Sequence, residues 1–477
     1  MGKTILRDFK WARWGILACL VVPMFASYFF DDMFSTLSQI FQNPGAMALG
    51  WDSQDYGFYA GGYSFLCVWG GLIVCGMLLD KWGVRRTGSA FVAMMVVGAI
   101  LVAYAISGSF AGSSLCVWMG GFTVRPSLVL AYVGCMLFGL GSEIAGVAVT
   151  RSIAKWFKGH EMAFAMGLQL AIARLGTAAA FIFSPMLVST QSQDSAGIIY
   201  PYSETIRPAL VGIGVMIIGV VLWSVFITMD ARLDHQSGEK DTVATSEEDK
   251  FKFSDIFKVL GNRYFILIAL LCVFFYCCII SFKKFATSIL IPRFDLPVDS
   301  AKWVVTMIPF FTVVFTPLFG SLVDRTGKGT RWMIAGSCLV LAAHLLIAFA
   351  PQGIRAWGYV SISLLGIGYS LVPSAMWPTV PRIVPEKNLG TAYSLIYWIQ
   401  NMGMLLVPIF VGRIFKSEIT TEAGEAMHKA QELTAALHVE FIFIGLGVVA
   451  VAIAFLLAVG SKKNPLLKLD APSKDLK

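Results

Sequence analysis

Long apolar runs separated by short polar segments dominate the hydropathy pattern of the chain. A helix needs about 20 mostly apolar residues to cross the hydrocarbon core of a bilayer. Runs of that length are found twelve times, several of them interrupted by Gly or Pro, which membrane helices tolerate. They lie at 13–40, 54–79, 87–107, 126–154, 160–188, 204–229, 262–291, 302–323, 331–350, 355–380, 386–413 and 435–459. The pattern predicts an all-α polytopic membrane protein with twelve transmembrane helices.

The composition supports this class and excludes others. Hydrophobic residues make up 57% of the 477 residues and charged residues only 14%, whereas soluble domains carry about 25% charged residues. A set of soluble domains, a disordered chain, a disulfide scaffold and a nucleic-acid binder are therefore excluded. Most of the nine cysteines lie inside apolar runs, and the pair Cys277–Cys278 has no second Cys or His pair to complete a metal site. We expect no metal and no cofactor.

Basic residues predict the orientation of the chain. With the N-terminus placed inside, most of the 37 Lys and Arg residues fall in the two tails and in the inner loops. The positive-inside rule then places both termini in the cytoplasm. The first run follows a basic start but has no small-residue cleavage site after it, so we expect a retained membrane helix rather than a signal peptide.

The polar stretch in the middle of the chain divides the twelve spans into two sets of six. We predict an N-terminal bundle at 1–229, a cytoplasmic linker at 230–261, a C-terminal bundle at 262–460 and a cytoplasmic tail at 461–477. The polar segment 416–434 predicts a short amphipathic helix outside the membrane.

A short motif occurs twice, each time after the second span of a six-helix set. Its residues are Gly76, Asp80, Lys81, Gly83, Arg85 and Arg86 in the first copy and Gly320, Asp324, Arg325 and Gly327 in the second. The glycines suit a tight turn and close helix approach, and the aspartates can meet basic residues or a helix end. The motif resembles the signature loop of the major facilitator superfamily. The resemblance implies two pseudo-symmetric six-helix bundles and a loop that acts as a gating latch.

Further motifs resemble the lysosomal dipeptide uniporters of this superfamily. They are the Lys-Trp-Phe-Lys-Gly loop at 155–159 and the Gln169-x-x-x-x-Arg174 helix, and the likeness extends over roughly 13–460. The resemblance implies a dipeptide carrier in which Glu143 and Arg174 hold the two ends of the substrate. The short loops and the lack of an acidic dileucine signal favour a bacterial inner-membrane protein. We expect it to act as a monomer in the lipid bilayer, without a nucleic-acid partner.

Charged residues inside the predicted spans are candidate functional residues, because each costs about 2.5–3.5 kcal/mol at the bilayer centre. We identify Asp31, Asp32, Glu143, Arg174, Lys283 and Lys284. Glu143 and Arg174 each lie about 15 residues, or ~23 Å of helix, from the turn between spans four and five. They are therefore expected at the same depth on neighbouring helices, either as a site for a zwitterion or as a structural ion pair.

The remaining candidates are assigned to the substrate site more loosely. Asp31 or Asp32 and Lys283 or Lys284 fall at matching depth in the first and seventh spans and predict an outer gate, although lysines near a helix end also snorkel. Neutral polar and aromatic residues near the middle of spans could line a peptide site or serve packing alone. These are Tyr28, Gln169, Tyr276, Tyr369, Trp377, Trp398, Gln400 and Asn401.

Three functions are consistent with these patterns. The first is a carrier of dipeptides or similar small zwitterions, a uniporter working by alternating access. The second is a carrier of organic anions or amino acids, coupled to protons through Glu143 or Asp32. The third is a transporter-derived sensor that binds a ligand without flux. An enzyme is not expected, because no nucleophile–base motif or phosphate-binding loop stands out from the membrane pattern.

Overall fold

Twelve helices in the described part of the chain are long and apolar enough to cross a membrane, as the hydropathy pattern predicts. This computed structural model describes residues 5–114, 116, 124–157, 161–188, 200–237, 253–385, 389–419, 425–464, 467 and 469–472. The spans are α1 Lys10–Gln42, α2 Ser53–Leu79, α3 Lys81–Ile106, α4 Pro126–Trp156, α5 Phe164–Leu187, α6 Tyr202–Ser237, α7 Arg263–Phe294, α8 Val298–Thr326, α9 Gly329–Phe349, α10 Arg355–Ile383, α11 Ala392–Glu418 and α12 Met427–Lys463. The protein is an all-α, multi-pass membrane protein.

Several spans change their helical winding, among them α1, α2 and α7. The α-helical part of α1 ends at Asp32, and 3-10 turns follow at Ser35–Gln42. A π-helical turn interrupts α2 at Cys67–Gly71, and another interrupts α7 at Cys277–Ser281. Insertions of this kind frequently accompany functional sites, because they free backbone groups from the regular ladder.

The helices form two compact units. Met1–Met33 and Gly62–Lys250 contribute to the first unit, and Phe34–Gly61 and Phe251–Lys477 contribute to the second. This contact-based division differs from the predicted bundles 1–229 and 262–460 in one respect: the segment 34–61 packs with the C-terminal half of the chain. The predicted bundles describe which helices move together during transport, and that stays a prediction.

Close helix approach at glycines builds the first unit. In it α1 packs against α5 and α6, and α3 packs against α4. A Cβ added to Gly176 of α5 would lie 2.3 Å from the backbone oxygen of Phe25 in α1. One added to Gly98 of α3 would lie 2.4 Å from the backbone nitrogen of Phe138 in α4. Small residues at such crossings let backbones touch, which is the main source of helix association in lipid.

In the second unit, α7, α9 and α10 carry most of the packing. Here α9 packs against α10 and α12, and α7 packs against α11 and α12. The first turns of α2 also belong to this unit: a Cβ on Gly57 would lie 2.4 Å from the backbone oxygen of Pro408 in α11. The Asp52 carboxylate, just before α2, pairs with Lys416 at 2.7 Å.

The predicted amphipathic helix at 416–434 is not a separate element. Residues up to Glu418 continue α11, and residues from Glu425 onward form the first turns of a helix that runs without interruption to Lys463. Residues 420–424 lie outside the described residues. The same holds for part of the predicted linker (238–252), for Lys158 and Gly159 of the Lys-Trp-Phe-Lys-Gly loop, and for part of the tail (465, 466, 468 and 473–477).

Candidate substrate site

The Glu143 carboxylate lies in a small polar cluster between α4, α2 and α1 of the first unit. The Tyr63 hydroxyl donates to Glu143 Oε1 at 3.1 Å and lies 3.2 Å from Ser142 Oγ. Ser142 in turn bonds with Ser27 of α1. Tyr63 can come this close because residue 139 is glycine: a Cβ there would lie 2.0 Å from the backbone oxygen of Tyr63. Sequence reasoning missed Tyr63, since a single tyrosine in an apolar run carries no distinguishing signal.

Arg174 lies beside the same helix, α1, from the side of α5. Its guanidinium carbon is 5.8 Å from the centre of the Tyr28 ring, a cation–π contact. One turn further along α1, the buried Asp32 carboxylate accepts a hydrogen bond from the Thr177 hydroxyl at 2.8 Å. The spacings 28–32 and 174–177 place both contacts on the facing sides of α1 and α5.

The first unit thus places four predicted site residues on α1 or beside it: Tyr28, Asp32, Glu143 and Arg174. Glu143 and Arg174 are both half-buried, so each charge retains access to a ligand. Asp31 interacts electrostatically with Glu143. Gln169, at 4% exposure, is enclosed in the unit. Opposite charges on two helices that share one neighbour offer separate partners for an ammonium and a carboxylate.

In the second unit, an aromatic cluster brings together three predicted residues. Trp377 Nε1 donates to the Tyr276 hydroxyl at 3.1 Å, and the Tyr369 ring meets the Tyr276 ring edge-on at 5.9 Å. Tyr397 of α11 stacks on Trp377 with ring centres 5.2 Å apart, and Tyr393 lies 5.9 Å from it. The two α11 tyrosines were not among the predicted residues, although they follow the same helical face.

Gln400 and Asn401 occupy different positions beside this cluster. Gln400 links α11 to α7, because Cys272 Sγ lies 3.3 Å from its Oε1. Asn401 donates from Nδ2 to the backbone oxygen of Tyr397 at 3.0 Å. Its Oδ1 is buried and accepts no hydrogen bond within the described part of the chain. Trp398, between the aromatic and amide residues, is half-buried.

Lys283 and Lys284 are enclosed in the second unit, each with only 6% of its surface exposed. The Tyr56 hydroxyl donates to the backbone oxygen of Lys284 at 3.0 Å. A turn later, Ser38 of the first span bonds with Thr287 and Ser288, both at 3.0 Å. The predicted pairing of these lysines with Asp31 or Asp32 stays a prediction.

The first copy of the repeated motif joins an ion network that the sequence did not reveal. Arg85 pairs with Asp234 of α6 at 3.0 Å, and Lys155 of α4 pairs with Asp230 of α6 at 2.9 Å. Trp156 Nε1 also donates to Asp230, at 2.9 Å. Lys81 and Arg86 are exposed, and the side chain of Asp80 lies outside the described residues. The motif therefore ties the ends of α3, α4 and α6 together.

The glycines of the repeated motif fill only one of the two roles expected of them. Gly83 and Gly327 have φ of 78° and 63°, which explains why glycine suits the turn. The expected close helix approach is wrong for Gly76 and Gly320, since a Cβ at either would meet none of the described residues within 4 Å. In the second copy, Asp324 and Arg325 are exposed, and Asp324 interacts electrostatically with Arg382 of α10.

The sequence survey of charges inside spans was incomplete. Glu440, within the predicted span 435–459, is a further buried acid and lies 2.8 Å from the buried His344. Arg293, placed by the sequence just beyond the seventh span, belongs to α7 and is buried. Both omissions arose because a charge near a span end reads as solvent-exposed when only the sequence is considered.

Comparisons with known proteins agree with this architecture. The family model of the Major Facilitator Superfamily matches residues 24–408. The lysosomal dipeptide transporter MFSD1 of Danio rerio is 29% identical over 402 residues, which cover 82% of this chain and 78% of that protein. MFSD1 of Homo sapiens is 27% identical over 372 residues, covering 76% and 71%.

Solved structures share the fold. A bacterial homologue of the human lysosomal transporter Spinster superposes with a TM-score of 0.66 at 16% identity, covering 95% of this chain and 98% of that one. A variant of the peptide transporter POT with bound sulfate superposes with a TM-score of 0.65 at 13% identity, covering 94% and 95%. At these identities the likeness speaks for the fold alone. With the family model matching most of its length, the chain belongs to the major facilitator superfamily and is a membrane transporter rather than an enzyme.

Proposed function

We propose that this protein carries dipeptides or similar small zwitterions across a membrane by alternating access, with Glu143 holding the ammonium and Arg174 the carboxylate. The observation that carries the proposal is the placement of these two half-buried, opposite charges on helices that both adjoin α1. A dipeptide's charged ends lie about 5–7 Å apart, a span that two such side chains can bridge. The similarity to MFSD1 supports the same substrate class.

The surroundings of each charge suit its role. Tyr63 donates to one oxygen of Glu143, which fixes the carboxylate while leaving its other oxygen for an ammonium. Tyr28 lies against the guanidinium of Arg174 and orients its planar fork, the geometry that binds a carboxylate through two hydrogen bonds.

A second candidate, a proton-coupled carrier of organic anions or amino acids, is favoured by two acids in spans of the first unit, Glu143 beside Tyr63 and the buried Asp32 beside Thr177. A carboxyl group in such a place can take up a proton on one side of the membrane and release it on the other together with the substrate. Uptake into liposomes with and without a proton gradient separates the two candidates. A substrate-driven alkalinisation of the outside would favour the second.

The test of the main proposal uses ligands that lack one charge. Binding of a free, a C-terminally amidated and an N-acetylated dipeptide is measured on purified Arg174→Ala and Glu143→Gln. We expect Arg174→Ala to weaken binding of the free dipeptide by about 2–5 kcal/mol and binding of the amidated dipeptide far less. Glu143→Gln should instead spare the acetylated one.

Arg207→Ala is the matched control, because Arg207 pairs with Glu204 at the start of α6 and should leave all three ligands unaffected. Equal losses for all three ligands in both site variants would identify the two charges as structural and overturn the assignment. No binding of any dipeptide to the unmodified protein would reject the substrate class.

A further inference from the structure

His344 of α9 and Glu440 of α12 form a hydrogen-bonded pair in the interior of the second unit. Their exposed fractions are 0% and 1%. His344 Nδ1 lies 2.8 Å from Glu440 Oε2, and His344 Nε2 lies 3.0 Å from the backbone oxygen of Cys278 in α7. Neither residue belongs to the proposed substrate site. A buried ionisable pair inside an apolar helix bundle is costly, and such residues mark functional sites by default.

Aromatic rings lie against the imidazole of the pair. Phe282 meets the imidazole edge-on and Phe443 stacks on it, each with ring centres 5.2 Å away. Among the described residues, Arg293 of α7 and the Cys278 thiol each interact electrostatically with Glu440. Arg293 is held by the backbone oxygens of Ile347 and Ala348 at the end of α9, at 2.7 and 2.9 Å.

The hydrogen-bond geometry fixes how many protons the pair holds. A carbonyl oxygen only accepts, so the proton on His344 must include one on Nε2, directed at Cys278. The contact between Nδ1 and Oε2 then needs one more proton, carried either by the imidazole or by the carboxyl group. Either way the pair has no net charge. Release of that proton would leave the Nδ1 lone pair directly against a carboxylate in a buried site. The two groups would repel each other and the contact would break.

The pair contacts the π-helical turn of α7. Cys278 belongs to the π-helical turn Cys277–Ser281 that interrupts α7. Tyr276, of the aromatic cluster, directly precedes this turn, and Lys283 and Lys284 follow it. His344 holds the backbone of the turn through the Cys278 carbonyl, so a change in the pair is transmitted to residues on both sides of it.

We propose that His344 and Glu440 form a proton-binding site that holds the π-helical turn of α7, so that proton release loosens this turn and slows substrate movement. The transport consequence rests on the proposed function, whereas the effect on the turn does not. The other carboxyl oxygen of Glu440 can also bind a proton, because Oε1 is buried and accepts no hydrogen bond in the described part of the chain.

The test begins with ligand-free protein. Hydrogen exchange of the turn, corrected for the intrinsic effect of pH, should rise about tenfold between about pH 6 and 9 as the pair opens. Glu440→Gln keeps a donor for Nδ1 without a releasable proton, so its turn should exchange at a constant corrected rate. Glu432→Gln is the control, since Glu432 lies on the same helix beside its own histidine, His428, at 3.5 Å, and should behave as the unmodified protein.

Nitrogen NMR of the unmodified protein reports on the pair directly and does not require a folded Glu440 variant. The chain has 5 histidines, and His344→Gln identifies the signal to follow. Imidazole shifts of His344 that stay constant over the same pH range would overturn the proposal, as would an unchanged pH response of the turn in Glu440→Gln. Dipeptide uptake is then measured over the same range and should lose its alkaline decline in Glu440→Gln. Absent uptake in every variant, with the exchange result intact, would reject the substrate proposal and leave the proton site standing.

Discussion

Asp470 caps a helix whose start lies 140 residues earlier in the chain: its carboxylate accepts from the backbone nitrogen of Thr330 at 2.9 Å. The Thr330 hydroxyl donates to the same carboxylate at 2.8 Å, and the Ser461 hydroxyl does so at 2.7 Å. The backbone nitrogen of Lys328 donates to the Asp470 backbone oxygen, also at 2.8 Å. The tail thereby supplies hydrogen-bond acceptors to the end of the second motif copy and to the start of α9, where backbone N–H groups have no partner within the helix.

Asp470→Ala should lower the stability of the protein by about 1–2 kcal/mol, the usual cost of removing a helix cap. The measurement is thermal unfolding of the purified protein in detergent. Asp299→Ala is the control, because Asp299 is 95% exposed and pairs with Lys302 within the same helix turn. A midpoint for Asp470→Ala equal to that of the control would show that the tail contact contributes no stability.

Asp230→Asn and Lys155→Met should show strong coupling in stability. Asp230 is 2% exposed and holds both Lys155 and Trp156, so removal of its charge leaves a half-buried ammonium with Asp234 as its remaining partner. We expect each single substitution to cost about 1–3 kcal/mol and the double variant to cost clearly less than their sum. Unfolding by denaturant measures all four forms. Strict additivity would contradict a direct interaction.

Gly176→Ala should destabilise the first unit and weaken substrate binding, while Gly167→Ala on the same helix should be close to neutral. The reason is that a Cβ at 176 would lie 2.3 Å from the backbone oxygen of Phe25, whereas one at 167 would have no described atom of another part of the chain within 4 Å. Moving α5 away from α1 also displaces Arg174 from Tyr28. Equal effects of the two substitutions on the unfolding midpoint and on dipeptide affinity would refute this account of the helix crossing.

Asp80→Ala should slow transport strongly and leave ligand binding nearly unchanged, because the residue belongs to the proposed gating loop rather than to the substrate site. Asp324→Ala should be milder, since the second copy lacks the double-basic end of the first. Counterflow into liposomes and equilibrium binding are measured in parallel on both variants. Normal flux in Asp80→Ala would remove the latch from the proposed mechanism.

The sequence by itself determined the twelve helices, the family and the presence of opposite charges in the membrane interior. These follow from local properties: an apolar run of spanning length must form a helix to satisfy its backbone, and a charge within it stands out against its neighbours. Glu143 and Arg174 were recognisable for that reason, and the positive φ of Gly83 and Gly327 matched the turn that their motif predicts.

Only the tertiary structure decided which groups meet. Tyr63 reaches Glu143 across two helices, Asp230 collects Lys155 and Trp156, and Asp470 returns to Thr330 over a separation that no local pattern encodes. The same holds for His344 and Glu440, which are 96 residues apart in sequence. Hydropathy fixes where a helix lies, but the rotation of each helix about its axis depends on packing against all its neighbours. That rotation determines the partner of every polar side chain.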